Sequence, residues 1–274
     1  MNRNNSTEEL GHCVFPYPRM RQLVVDAGWM AQRRHMIHGL IEVDITEARR
    51  LFLEYKVRTG EKLSFTAFAV ACVGRAVDDD RLVHAYRNWR NQLVVFDEVD
   101  VLIAIEVTAG ERTFPLVHPI RRVNKRSVHD ITAEIRAMQS DPEQRVRAHS
   151  PVLRWFYYLP TFGRRLVYRV VERNPRWRKQ YSGTVGLTSV GMFGSGSGWG
   201  LGIPNHSLAI VLGGIAEKPG VVDGRIEVRE ILNVTVSFDH DVVDGAPAAR
   251  FTQRLKELME AGDGLADTVS ARAG

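Results

Sequence analysis

The residue best placed for acid–base chemistry is His240. It closes the β-branched, strand-like run Val234-Thr-Val-Ser-Phe-Asp-His240 and is followed four residues later by Asp244 and Gly245, before a helical pattern begins. An imidazole at a strand end can be pinned by the backbone while one ring nitrogen faces a cleft, and its ordinary pKa near 6.5 suits proton abstraction around neutrality. The alternative is a histidine that merely caps a strand. Asp244 in the following loop suits a turn-fixing ion pair, with Arg19 or Arg21 as candidate partners, more than a chemical step. Of the remaining histidines, His35, His38, His84, His118, His129 and His206 show no metal-ligand spacing. Neither HExxH nor GxxxxGK[ST] occurs. Cys13 and Cys72 stand alone, without a C-x-x-C pair, so no metal site and no disulfide framework is expected, and a reducing, cytoplasmic setting is.

The elements that must hold His240 can be read from periodicity. The 274 residues suffice for one large domain, with 44% apolar and 25% charged residues as in an ordinary globular chain. A net charge of +5 suits an anionic ligand or surface, yet no nucleic-acid-binding module is present, so no nucleic-acid partner is expected. The polar N-terminus and short apolar runs predict neither export nor a membrane-spanning helix.

A strand over Ile41–Val43 leads to a helix over 48–59, and a buried helix over Leu63–Val77 starts from Ser64 as N-cap. Strands over Leu93–Phe96, Val99–Thr108 and Thr113–Ile120 read as an antiparallel meander. A helix over Ser127–Met138 opens with a Ser127/Asp130 capping box. Strands follow over Gly183–Val190 and Ser207–Ile215, flanking a Gly-rich loop to Gly202, and two more over Arg225–Phe238. The last helix spans Gly245–Glu260, with Pro247 in its first turn.

This order predicts an α/β (α+β two-layer sandwich) fold, a mixed sheet with helices on one face. The domain reading is an N-terminal arm over 1–34, a catalytic domain over 35–262 and a flexible tail over 263–274. Residues 144–180 stand apart, dense in Trp155, Phe156, Tyr157, Tyr158, Phe162, Tyr168 and Trp177 and in arginine, and read as a basic-aromatic insertion. Its aromatics suit core or subunit contacts. If residues 152–171 expose an aromatic face beside their arginines, peripheral contact with an anionic membrane becomes an alternative.

The flanks of His240 carry a resemblance. Ser237-Phe-Asp-His-Asp-Val-Val-Asp-Gly245, continuing through Phe251, resembles the signature of the catalytic domain of the 2-oxo acid dehydrogenase dihydrolipoyl acyltransferases, which share the chloramphenicol acetyltransferase-like fold. Gly183-Thr-Val-Gly-Leu-Thr-Ser-Val-Gly-Met-Phe-Gly194 is similar to a second family motif, and Glu42–Thr46, Lys62–Ser64, Val211–Ile215, Lys218-Pro219 and Asp223–Ile226 match further.

The resemblance implies an acyl-CoA-dependent acyltransferase in which His240 is the general base and Thr188 stabilises the oxyanion. Ser189, Gly191 and Asp241 would lie beside the coenzyme A substrate. Thr188 also has a plain reading, as a threonine chosen for its fit to a strand. The resemblance further implies a homotrimer with active sites between subunits, and an acceptor that is a thiol such as a dihydrolipoyl group, a hydroxyl or an amine.

This chain departs from the family pattern in three respects. It has no lipoyl domain of its own, so a separate lipoyl-bearing protein or dehydrogenase components would be its partners. Asp241 stands where arginine is usual, and Ser189 where asparagine is usual. The rival readings are a catalytically silent scaffold core and an antibiotic or natural-product acetyltransferase. The tail offers only Leu265 and Val269 as an apolar anchor, which predicts a trimer and not a larger cage.

Overall fold

The computed structural model describes residues 13–18, 21–109, 112–140, 158–190, 196–203 and 205–265. Gly191, Arg19, residues 144–157 of the basic-aromatic segment and nearly all of the tail lie outside the described residues.

Helix α1 (Arg21–Ala31) precedes strand β1 (Met36–Asp44), followed by α2 (Thr46–Thr59) and α3 (Phe65–Asp79). The short strands β2 (Tyr86–Arg87) and β3 (Leu93–Val94) lead to the hairpin β4 (Val101–Ala109) and β5 (Arg112–Ile120). Helix α4 (Val128–Ser140) comes next. Then α5 (Thr161–Arg173) and α6 (Pro175–Ser182) precede β6 (Val185–Ser189), β7 (Leu208–Val222), β8 (Arg225–Asp239) and α7 (Gly245–Glu260).

Six strands form one mixed sheet in the order β1-β8-β7-β6-β4-β5, with β6 parallel to both of its neighbours and every other pairing antiparallel. Strands β2 and β3 make a separate ribbon, so Leu93–Phe96 does not join the expected meander. Arg225–Phe238 also differs from expectation, being one fifteen-residue strand and not two. Its N-terminal half pairs with the long β7 and its C-terminal half with both β7 and β1, so partners on both sides of one register shift keep the whole run extended. Asp223 and Gly224, both with positive φ, turn the chain between β7 and β8.

Local sequence explains the helix starts. Ser64 accepts a hydrogen bond from the Ala67 N–H, and the Ser127 hydroxyl and Asp130 carboxylate exchange bonds with each other's backbone N–H groups as a capping box does. Alternation then sorts the strands into two faces. Leu187, Ile210, Leu212, Val234, Val236 and Phe238 point into a core shared with α2, α3, α4 and α7. At its end, Phe238 meets Phe251 of α7 edge-on, with ring centroids 5.7 Å apart. That contact fixes the strand end from which His240 emerges.

The opposite face carries Thr188, Val211, Asn233, Thr235 and Ser237. The Gly-rich loop lies across it. A bulge in β7 at Gly213 and Gly214 receives this loop: the Gly214 N–H donates to the Gly198 carbonyl (2.8 Å), and a Cβ on either glycine would overlap the loop's backbone oxygens. Ser197 reaches Asn233 and the Trp199 indole donates to the Ile41 carbonyl. Beneath the loop, Asn233 Nδ2 and Thr235 Oγ1 are buried without a hydrogen-bond partner among the described residues.

Candidate functional site

His240 sits one residue past β8, in the turn before α7, with its side chain 45% exposed. Its N–H donates to the His35 carbonyl at 2.7 Å, and the Val242 and Val243 N–H groups donate to the Asp239 carbonyl. The turn is therefore closed by backbone bonds on both sides of the imidazole. Nε2 has no hydrogen-bond partner among the described residues.

Asp244 lies on the Nδ1 side at 3.8 Å, and its carboxylate is 88% exposed. It has no ion pair with Arg21, one of the two expected partners, and Arg19, the other, lies outside the described residues; its one ion-pair neighbour among the described residues is His240. An exposed pair of this kind contributes about 0–1 kcal/mol, too little to fix the turn.

The anchor lies one residue before the histidine instead. The buried guanidinium of Arg34 forks between Asp239 Oδ2 (3.0 Å) and Glu172 Oε1 (2.6 Å), joining the strand end to α5. Asp239 also accepts the Asp241 N–H at 3.2 Å. Beside this pair the buried Arg178 of α6 stacks on Tyr86 at 3.8 Å and bonds the Asn205 carbonyl. Tyr86 in turn donates to the Gly183 carbonyl (2.9 Å), which opens the strand bearing Thr188. Sequence reasoning missed Arg34, Glu172 and Arg178. Arg34 and Glu172 are 138 residues apart, and no local pattern connects them.

Asp241 is held away from the imidazole, with Oδ1 2.9 Å from His35 Nδ1 and Oδ2 3.7 Å from Arg87. Its charge is shared with two cationic or ionisable partners. Ser189 ends β6 opposite Leu212, half-buried. Thr188, also half-buried, pairs with Val211, which is level with Thr235 on β8. From Thr188 to His240 the path crosses two strand spacings and runs five residues along β8, a separation of roughly 20 Å. One copy of the chain does not bring the two together. No group of three or more His, Cys, Asp or Glu able to hold a metal ion occurs among the described residues.

The architecture defines the class: this is the fold of the dihydrolipoyl acyltransferase catalytic cores. The chain superposes on the Azotobacter vinelandii dihydrolipoamide acetyltransferase, studied for the role of a serine, a histidine and an asparagine in its catalytic mechanism, with a TM-score of 0.69 and 17% identity over 97% of this chain and 100% of that one. A probable dihydrolipoamide acetyltransferase from Listeria monocytogenes gives 0.67 and 21% identity over 91% and 95%.

Sequence narrows the class. Residues 164–266, which include Thr188, His240 and both basic helices from Arg164 onward, match the model of the family described as 2-oxoacid dehydrogenases acyltransferase (catalytic domain). The lipoamide acyltransferase component of the branched-chain alpha-keto acid dehydrogenase complex of Pseudomonas putida is 40% identical over 91 residues, 32% of this chain and 21% of that protein. The mitochondrial dihydrolipoyllysine-residue succinyltransferase component of the Saccharomyces cerevisiae 2-oxoglutarate dehydrogenase complex is 28% identical over 227 residues, 80% and 41%. The chain thus spans less than half the length of these curated relatives.

Proposed function

We propose that the chain is a coenzyme A-dependent acyltransferase that moves an acyl group between acyl-CoA and a thiol, a dihydrolipoyl group being the acceptor most in keeping with its relatives. The observation that carries this reading is the strand-end His240, clamped by its backbone and by Arg34–Asp239, inside the segment that matches the acyltransferase family.

In the forward step His240 Nε2 takes the proton of the acceptor thiol, whose sulfur attacks the thioester carbonyl. The new bond drives charge onto the carbonyl oxygen, which accepts a hydrogen bond from the Thr188 hydroxyl. Collapse of the tetrahedral intermediate breaks the bond to the coenzyme A sulfur, and the imidazolium returns its proton to that thiolate. No covalent acyl-enzyme is required. The separation of His240 and Thr188 within one copy supports a site between copies, and the family resemblance makes a homotrimer our reading of that assembly. The two cysteines, Cys13 exposed and Cys72 buried, are unpaired, in keeping with a cytoplasmic setting.

The test is release of the coenzyme A thiol from acyl-CoA in the presence of dihydrolipoamide, followed by chromatographic separation of free coenzyme A and S-acyl-dihydrolipoamide, because the total thiol count does not change in the transfer. His240→Ala is expected to lower kcat by about 10²–10⁴, and Thr188→Val by about 10²–10³ with KM little changed. Full activity in His240→Ala would end the assignment, and absence of any thiol release by the unmodified protein would favour a silent scaffold.

A further inference from the structure

We propose that the outer face of α5, with Trp29 of α1 beside it, is a docking surface for an anionic phospholipid bilayer. Helix α5 divides cleanly by side. Arg164 turns inward, its Nε donating to the buried Asp26 at 2.7 Å, and Glu172 turns inward to Arg34. Both acidic partners on these two helices, Asp26 and Glu172, are thereby consumed inside the protein.

The outward side pairs two stripes of i, i+4, i+8 spacing. One is apolar: Phe162, Leu166 and Val170 are 77%, 61% and 47% exposed, and Tyr158 adds an exposed ring just before the helix. The other runs through Arg165, Arg169 and Arg173 and continues to Arg176 on α6; Arg165 is half-buried, with Nε 3.5 Å from Asp26 Oδ1, and the cations it offers outward are those of Arg169, Arg173 and Arg176. Arg169, Arg173 and Arg176 have no ion pair among the described residues.

Between α1 and α5 a cavity of about 560 Å³ is lined by Trp29, Thr161, Phe162, Arg165, Leu166 and Arg169. The guanidinium groups of Arg33 (3.7 Å) and Arg165 (4.5 Å) both lie over the Trp29 ring. An apolar stripe flanked by unpaired arginines, next to an indole, is what a helix lying in the plane of a lipid interface requires: side chains to enter the acyl boundary, cations for the phosphates, and an aromatic ring at the headgroup level.

Charge narrows the occupants. A two-fold contact of this face with a second copy would set arginine against arginine, which like-charge repulsion disfavours, and a head-to-tail contact within a trimer is separated from a bilayer by the sedimentation outcome below. A polyanion without apolar surface would leave Phe162 and Leu166 in water. A bilayer carrying phosphatidylglycerol satisfies both stripes.

The experiment is co-sedimentation of the full chain with phosphatidylcholine vesicles, with and without phosphatidylglycerol. Binding is expected only with the anionic lipid, and it should weaken as salt is raised. Phe162→Ser/Leu166→Ser and Arg169→Gln/Arg173→Gln should each reduce partitioning about tenfold or more, while thiol release in solution and the melting temperature stay unchanged. Val57→Ser, at an exposed position on α2, should change nothing.

Failure to bind either vesicle, equal binding to both, or full binding by Phe162→Ser/Leu166→Ser would overturn the proposal. A lower sedimentation coefficient in that variant would also overturn it, since the face would then be covered by a second copy. The vesicle assay does not depend on catalysis, so its result is independent of the acyltransferase reading.

Discussion

Arg34 shows how one mostly buried side chain can brace a site it does not touch. Its planar fork satisfies two carboxylates at once, and its removal leaves Asp239 and Glu172 without their hydrogen-bonded cation, only Arg178 remaining nearby. Arg34→Met is therefore expected to cost about 3–5 kcal/mol of stability, read as a lower denaturation midpoint. Arg34→Lys keeps the charge but not the fork and should fall between the two.

Two other histidines are held neutral by the fold. Burial pushes His84 down to about 4 and His206 to about 3, and each donates Nε2–H to a carbonyl, of Phe96 and of Ser182 respectively. In the unfolded chain both titrate near 6.5. Below that pH the unfolded state takes up protons that the folded state refuses, so stability is full above about pH 6.5 and declines as pH falls toward about 4 and then 3. The slope is at most about 1.4 kcal/mol per pH unit for each histidine. Thermal melts across this range should show the decline, and His206→Asn should flatten it.

At the scale of elements, the site depends on how β8 passes into α7. Phe251→Ala removes the ring that braces Phe238 and is expected to destabilise the chain by about 3–5 kcal/mol in chemical denaturation. Much of this level was legible in the sequence. The Ser64 cap, the Ser127/Asp130 box, the hairpin ending at Ile120 and the final helix all declare themselves within a few residues, because the interactions that set them are local.

What was not legible depends on distant partners. Arg225–Glu230 has the charged look of a break between strands, but pairing with β7 keeps it extended. Leu93-Val94 has strand character, but only Tyr86-Arg87 is placed to meet it. The Gly213-Gly214 pair could be noted as a motif, while its purpose, making room for the loop from Gly196 to Gly202, needs the fold.

At the scale of the molecule, His240 was findable from a strand running into a turn and a helix, whereas its distance from Thr188 follows only from the strand order. Complementation measures that division directly. Oligomers reassembled from a mixture of His240→Ala and Thr188→Val chains should regain thiol release that neither variant shows alone, since some neighbouring pairs then supply both groups. No recovery after verified mixing would place both residues within one copy's site.

A shared site also has a genetic consequence. A subunit carrying both substitutions, co-produced with the unaltered one, spoils every crevice it borders on either side. Intact sites should then decline as the square of the normal subunit's share, so that equal production leaves about one quarter of the activity. A defective allele would behave as a partial poison and not as a simple absence.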